Sequence, residues 1–272
     1  MPLRCRAMPD WIRYTPWDMG LLGAVVLQST VVAYLHDPKW KAMGLVVPIP
    51  FTLATLAVGE PVGPMHATGL LLLLGYTYGV ALLYNRVRLP AVLSIVLCAA
   101  AYCVVAMWLA AFMPRTEAAF WLALGFAGAV AATLHYVLDF RLEPGHRTPL
   151  PLWVKLPSVS CVVIGLVVIK HALRGFMVSF PMVGVIASYE ARRSLGTVCR
   201  FMNVTVMAFV PMMAALRLTQ ERLGLPGALA AGWAVYLMML VPLVRGLWRQ
   251  APAPLPGARV APDSQGAGAG RS

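Results

Sequence analysis

The sequence predicts an all-α polytopic membrane protein of about nine transmembrane helices, built as two four-helix repeats of inverted topology around a linking helix. Three observations carry that expectation. The 272 residues are 60% hydrophobic and 12% charged, with a mean hydropathy of +0.75. A soluble chain of this length cannot hide so much apolar surface, so most of it faces lipid or other membrane helices. The apolar residues fall into nine runs separated by short polar turns. One piece of punctuation occurs twice: a glycine six residues before a proline, as Gly44-Leu-Val-Val-Pro-Ile-Pro50 and as Gly175-Phe-Met-Val-Ser-Phe-Pro181.

Residues 1–16 form an N-terminal arm with Arg4, Arg6 and Arg13 and no apolar stretch of the signal-peptide kind. The first run, 18–35, stops at His36-Asp37-Pro38, and Lys39-Trp40-Lys41 makes a turn suited to a headgroup boundary. The second, 44–59, is short: at ~1.5 Å per residue it gives roughly 23 Å of helix against a ~30 Å hydrocarbon layer. A proline inside such a segment removes a backbone hydrogen bond and bends or breaks the helix. Glu60-Pro-Val-Gly-Pro64 closes it. The third run is 66–84. The fourth, 90–113, opens on Pro90, where a missing N–H costs nothing. The fifth, 118–140, is apolar until His135 and Asp139 and leads into a polar stretch at 141–148. The sixth is 153–170. Lys170-His171-Ala-Leu-Arg174 then leads to the short seventh, 175–189. The eighth, 197–216, is linked by 217–222 to the ninth, 226–247. The Pro- and Gly-rich tail, 250–272, lacks apolar mass and reads as disordered.

A register for the repeat follows from the punctuation. At an offset of 131, Gly44 matches Gly175, Pro50 matches Pro181 and Arg86 matches Arg217; five residues of slack pair Trp17 with Trp153 and Pro90 with Pro226. The first repeat is then 17–113, the linking helix and loop 114–152, and the second repeat 153–249. A single crossing between the halves inverts the second relative to the first. Short, Gly/Pro-interrupted segments at matching places in two such halves point to a transporter's binding site.

Each half also resembles the small GlpM-type inner-membrane protein family, whose members carry a glycine, a short apolar stretch and a proline. Residues 173–218 match best, through Gly175, Phe180-Pro181 and the turn Glu190-Ala-Arg-Arg193; residues 44–84 match more loosely, with Pro48 as an extra proline and Glu60 in place of a longer charged turn. The resemblance implies a multi-pass inner-membrane protein linked to envelope polysaccharide production, with envelope-biosynthesis proteins as partners. It supplies no catalytic residues.

The net charge of +12 is spread singly or in pairs between apolar runs, so no continuous basic face exists for nucleic acid. Counted over nine crossings, the side holding the N-terminus carries eight of the 22 Lys and Arg and the other fourteen, which places the N-terminus outside and the C-terminus inside. Cys98, Cys103, Cys161 and Cys199 lie within apolar runs and read as packing residues, and Cys5 lies in the arm. Gly75-Tyr-Thr-Tyr-Gly79 permits close helix approach. No cofactor motif, metal-ligand spacing or hydrolase signature is present, so no cofactor and no metal are expected.

The candidate substrate or coupling-ion residues surround the paired segments. They are Pro50, Thr55, Glu60 and His66 in the first half and Pro181, Ser188, Glu190 and Asn203 in the second. Bends at Pro50 and Pro181 would free carbonyls to line a polar cavity, and Glu60 and Glu190 each end such a segment. A second set, His135, Asp139 and Glu143, shares one face of a continued helix at i, i+4, i+8; equally, Asp139 can end the helix against Arg141. The leading expectation is a permease for a small-molecule substrate, embedded in the lipid bilayer. The second is a non-transporting membrane component assisting envelope polysaccharide production. The third is an intramembrane enzyme on the His135 face. The permease demands that the two Gly/Pro segments face one another across a cavity that Glu60 or Glu190 reaches.

Overall fold

The computed structural model describes residues 15–34, 44, 47–138, 152–192 and 194–248, and every regular element among them is helical. The arm to residue 14, the turn around Trp40, the loop after residue 138 and the tail lie outside the described residues. In chain order the helices are α1 (Pro16–Tyr34), α2 (Ile49–Val58), α3 (Pro64–Asn85), α4 (Ala91–Phe112), α5 (Glu117–Val137), α6 (Leu152–Val168), α7 (Lys170–Leu173), a 3-10 segment (Arg174–Ser179), α8 (Met182–Glu190) and α9 (Leu195–Trp248). Four of them are long and apolar enough to cross a membrane, or five if the bent pair Ser160–Val168 and Lys170–Ser179 counts as one span.

The outward faces explain the composition. On α4, Val92, Val96, Val104, Trp108 and Phe112 point outward, and on α5 so do Leu122 and Phe126. Water would penalise that arrangement at about 25 cal/mol per Å² of apolar surface, whereas a lipid environment removes the penalty.

Prolines set the starts of the short helices. Pro50 falls in the first turn of α2, and Pro181 is the residue immediately before α8. Neither therefore interrupts a helix from within. At these positions an absent N–H would be unpaired in any case. The expected breaks thus take the form of helices that begin at the proline. With 10 and 9 residues, α2 and α8 reach only roughly 15 Å at ~1.5 Å per residue, about half the hydrocarbon thickness.

The link at residues 217–222 differs from expectation, because it is helical. Arg, Leu, Gln and Glu in this stretch are good helix formers, and the helix runs on to the break at Gly224, which has φ 66° and ψ 173°. That conformation suits glycine, and Pro226 then restarts the helix. Arg217 and Gln220 lie three residues apart on one face. Gln220 accepts from Val62 N–H (2.9 Å) and donates to Val62 O (3.2 Å), and Arg217 also donates to Val62 O (3.0 Å). Arg217 further pairs with Glu117 at the start of α5. The polar side chains of this stretch therefore hold the α2–α3 turn.

At the same level of the bundle as α1's first turn lies a buried ion pair. Lys170 Nζ meets Asp18 Oδ2 at 2.6 Å, with the side chains only 4% and 2% exposed. The same carboxylate oxygen accepts from Thr15 N–H (2.6 Å) and Thr15 Oγ1 (3.0 Å). Lys170 stands where α6 ends and the chain turns by 66°. The pair thus ties the pivot of the second broken segment to the first helix. Removing one partner strands a buried charge, which typically costs about 3–5 kcal/mol, whereas replacing both with apolar groups is often neutral. We predict that Lys170→Ala lowers the thermal unfolding midpoint in detergent by the equivalent of about 3 kcal/mol, and that the double change Asp18→Leu with Lys170→Met recovers most of that loss.

Candidate functional site

The site is built around the 3-10 segment, which is held from three sides by α2, α3 and α4. Gly175, Phe176, Met177, Val178 and Ser179 are all buried. Backbone buried in this way must find partners. The Tyr102 hydroxyl on α4 donates to Phe176 O (2.8 Å), and Ser179 Oγ donates to His66 O (3.3 Å). The approach to α3 is close enough to need glycine on each side. A Cβ on Gly175 would stand 2.7 Å from the His66 ring and 3.0 Å from Met65 Cβ, and a Cβ on Gly69 would stand 2.7 Å from Ser179 Cβ. Just before this contact, Arg174 adopts a left-handed φ of 49°, a strained conformation for a non-glycine residue.

The first broken segment is held differently. The amide of Gln28, on α1, donates to Gly44 O (2.7 Å) and Val47 O (3.2 Å), so a side chain takes the place of helical partners ahead of α2. At the other side of α2, Trp233 Nε1 donates to Thr52 Oγ1 (2.7 Å), and Phe51 packs edge-on against Phe209.

Between the two segments lies a cavity of about 100 Å³ that both Pro50 and Pro181 line. Its walls are mainly apolar, from residues such as Phe51, Leu70, Met182 and Phe209, and its polar lining comes from Gln28, Tyr76, Thr77, Ser179, Ser188 and Thr205. Among the described residues, no charged side chain lines it. Thr77, Ser179 and Thr205 spend their hydroxyls on backbone carbonyls.

The other candidate residues are distributed elsewhere. Thr55 is fully buried but donates within its own helix to Phe51 O (2.8 Å). Glu60 lines a second recess of about 220 Å³ at the α2–α3 turn, together with His66, Arg115 and Arg217. Glu190 is buried at the end of α8 and is not part of the cavity wall. Asn203 is locked to α3: its Nδ2 donates to the Tyr78 hydroxyl (2.8 Å), which donates back to Oδ1 (3.1 Å). The cavity therefore unites Pro50, Pro181 and Ser188, while Glu60 and His66 share the separate recess. Within that recess His66 Nδ1 accepts from Gly63 N–H (3.2 Å), which leaves the ring proton on Nε2 in the neutral tautomer.

Of the alternative face, His135 is partly buried near the end of α5, its ring edge-on to Tyr136. Asp139 and Glu143 lie outside the described residues. In the G-x-x-x-G motif, only Gly79 packs closely: a Cβ there would stand 3.1 Å from Cys98 Sγ on α4, whereas a Cβ on Gly75 would meet open space.

Four cavity and pivot residues escaped the sequence reading: Gln28, Tyr76, Asp18 and Lys170. A signal for Gln28 was available, because a lone amide in the middle of an apolar run is costly unless it has work to do. Comparison with protein-family models, curated proteins and solved structures finds no match for this chain.

The close contact sets a test. Gly175→Ala must push the His66 ring or the 3-10 backbone aside, and overpacking of this kind costs about 1–3 kcal/mol. We expect a correspondingly lower unfolding midpoint for Gly175→Ala, and partial recovery when His66→Ala is added.

Proposed function

We propose that the chain is a multi-pass inner-membrane permease for a small solute, with its pathway through the cavity between the two broken segments. The observation that carries this reading is that Pro50 and Pro181, 131 residues apart in the sequence, line one cavity. Discontinuous helices meeting at a repeat interface are how many secondary transporters build a central site without exposing unpaired backbone to lipid. In this reading the chain crosses the membrane nine times, with the N-terminus outside and the C-terminus inside, and the halves form an inverted repeat of the GlpM type.

The end-to-end contacts support alternating crossings. Asp18 with Lys170, His66 with Gly175 and Glu117 with Arg217 gather residues that nine alternating runs place toward one face. Gln28 with Gly44 and Tyr78 with Asn203 gather residues that they place toward the other. On this arrangement α2 and α8 enter from opposite sides.

The uncharged lining shapes the mechanism. With Glu60 in a separate recess and Glu190 outside the wall, no carboxylate among the described residues is placed to exchange a proton or cation with a bound solute. The reading is therefore of passive facilitation. The same placement favours a second reading, a non-transporting membrane component of envelope polysaccharide production whose partners are envelope-biosynthesis proteins and in which Glu60 and Glu190 are structural.

Flux into proteoliposomes separates the two. A permease shows solute flux above protein-free vesicles that is abolished by Val183→Trp, which fills the cavity, and unchanged by Glu60→Gln. Absence of flux for a broad set of small solutes, with the chain folded and inserted, favours the second reading.

A further inference from the structure

We propose that the recess at the α2–α3 turn holds the zwitterionic headgroup of a phospholipid, with its ammonium toward Glu60 and its phosphate toward Arg115. The observation that carries this is a pair of opposite charges that share one recess without meeting. Glu60 and Arg115 both line the recess of about 220 Å³. Neither has a hydrogen bond or an ion pair among the described residues. Glu60 is half-buried and Arg115 exposed, and their charged atoms stay open to a ligand. The remaining charged residue of the wall is already neutralised, because Arg217 pairs with Glu117 and donates to Val62 O (3.0 Å).

That charge pattern selects the headgroup. A simple anion is drawn to Arg115 and repelled by Glu60, and a simple cation meets the reverse. A molecule carrying both charges gains from each group, through charge-assisted hydrogen bonds roughly twice as strong as neutral ones. Pro64 and Met65, the first residues of α3, are also in the wall, and the positive end of that helix favours the phosphate. Size agrees: a water-sized sphere needs ~10–15 Å³, so the recess has room for the about eight non-hydrogen atoms of phosphoethanolamine. The surroundings accommodate the rest of an amphiphile. Arg115 follows soon after Phe112, and Phe112 and Trp108 are 71% and 63% exposed, with ring centroids 5.5 Å apart. They belong to the outward apolar face of α4, along which acyl chains can lie. Beyond the turn, Trp121 Nε1 donates to Glu117 Oε1 (3.0 Å), the carboxylate that holds Arg217. An indole tied by its N–H beside the recess suits a headgroup boundary.

The test uses the full chain purified in detergent, with bound lipid counted by native mass spectrometry during titration. Dioleoylphosphatidylethanolamine should be retained about tenfold more tightly than dioleoylphosphatidylglycerol, whose headgroup lacks the ammonium. Glu60→Gln should abolish that preference, and Arg115→Gln should weaken retention of both lipids. Unfolding midpoints should not change, because neither side chain has a partner in the described protein to lose. Equal retention of the two lipids by the unaltered chain overturns the proposal, as does a preference that survives Glu60→Gln. Soluble glycerophosphoethanolamine separates the possible sources of the headgroup. Weak or absent competition by it is expected; competition as tight as the lipid's own binding makes the site one for a free zwitterion and overturns the lipid as its occupant. None of these readouts depends on flux, so the permease reading stands or falls separately.

Discussion

The burial of a non-α-helical backbone segment, 174–179, against α3 is the constraint on which the rest depends. Backbone that leaves the α-helical pattern inside a membrane protein survives only where protein or trapped water satisfies its polar groups. Here the Tyr102 hydroxyl and the Ser179–His66 contact supply part of that satisfaction, and glycines at 69 and 175 let the two backbones come close enough for it. Once the segment is anchored there, α8 must start at Pro181, beside the cavity. The first broken segment reaches the same cavity by another device, a single glutamine amide bridging two carbonyls. The two short segments therefore reach one cavity without sharing the interactions that hold them.

Polar interactions in the bundle divide into two kinds with different consequences. Asp18 with Lys170, and Arg217 and Gln220 with Val62 and Glu117, are contacts that tie distant parts of the chain together. They fix where helices end and where the 66° turn stands. The Tyr76 hydroxyl and Gln28 Oε1 are buried atoms without a geometric hydrogen-bond partner among the described residues, carried by two residues that line the cavity. The first kind holds the fold; the second is shared with Asp18 Oδ1, Ser29 Oγ and His66 Nε2 and does not by itself mark a site.

How much of this was legible in the sequence follows the range of each interaction. All-helical structure and the short helices at Pro50 and Pro181 could be read because apolar runs and proline chemistry act over a few residues. That helix continues through 217–222 was hidden by its charges: the polar residues look like a loop until their partners, Val62 and Glu117, are seen to lie over 90 residues away in the chain. Asp18 and Lys170 are separated by 152 residues, and nothing local to either announces the other. Glu60 and Glu190 were singled out because each ends a broken segment, yet ending a segment places a side chain at the rim rather than at the centre.

The central claim is that the two broken segments face one another across a single cavity, and intramolecular cross-linking tests it most directly. In a chain with all five native cysteines replaced, Pro50→Cys and Pro181→Cys together should be joined within one chain by a short bifunctional maleimide in native-like membranes, and either change alone should not. If both single cysteines react with the maleimide but the pair forms no intramolecular link, or links only between chains, the two segments do not share a cavity and the account is contradicted.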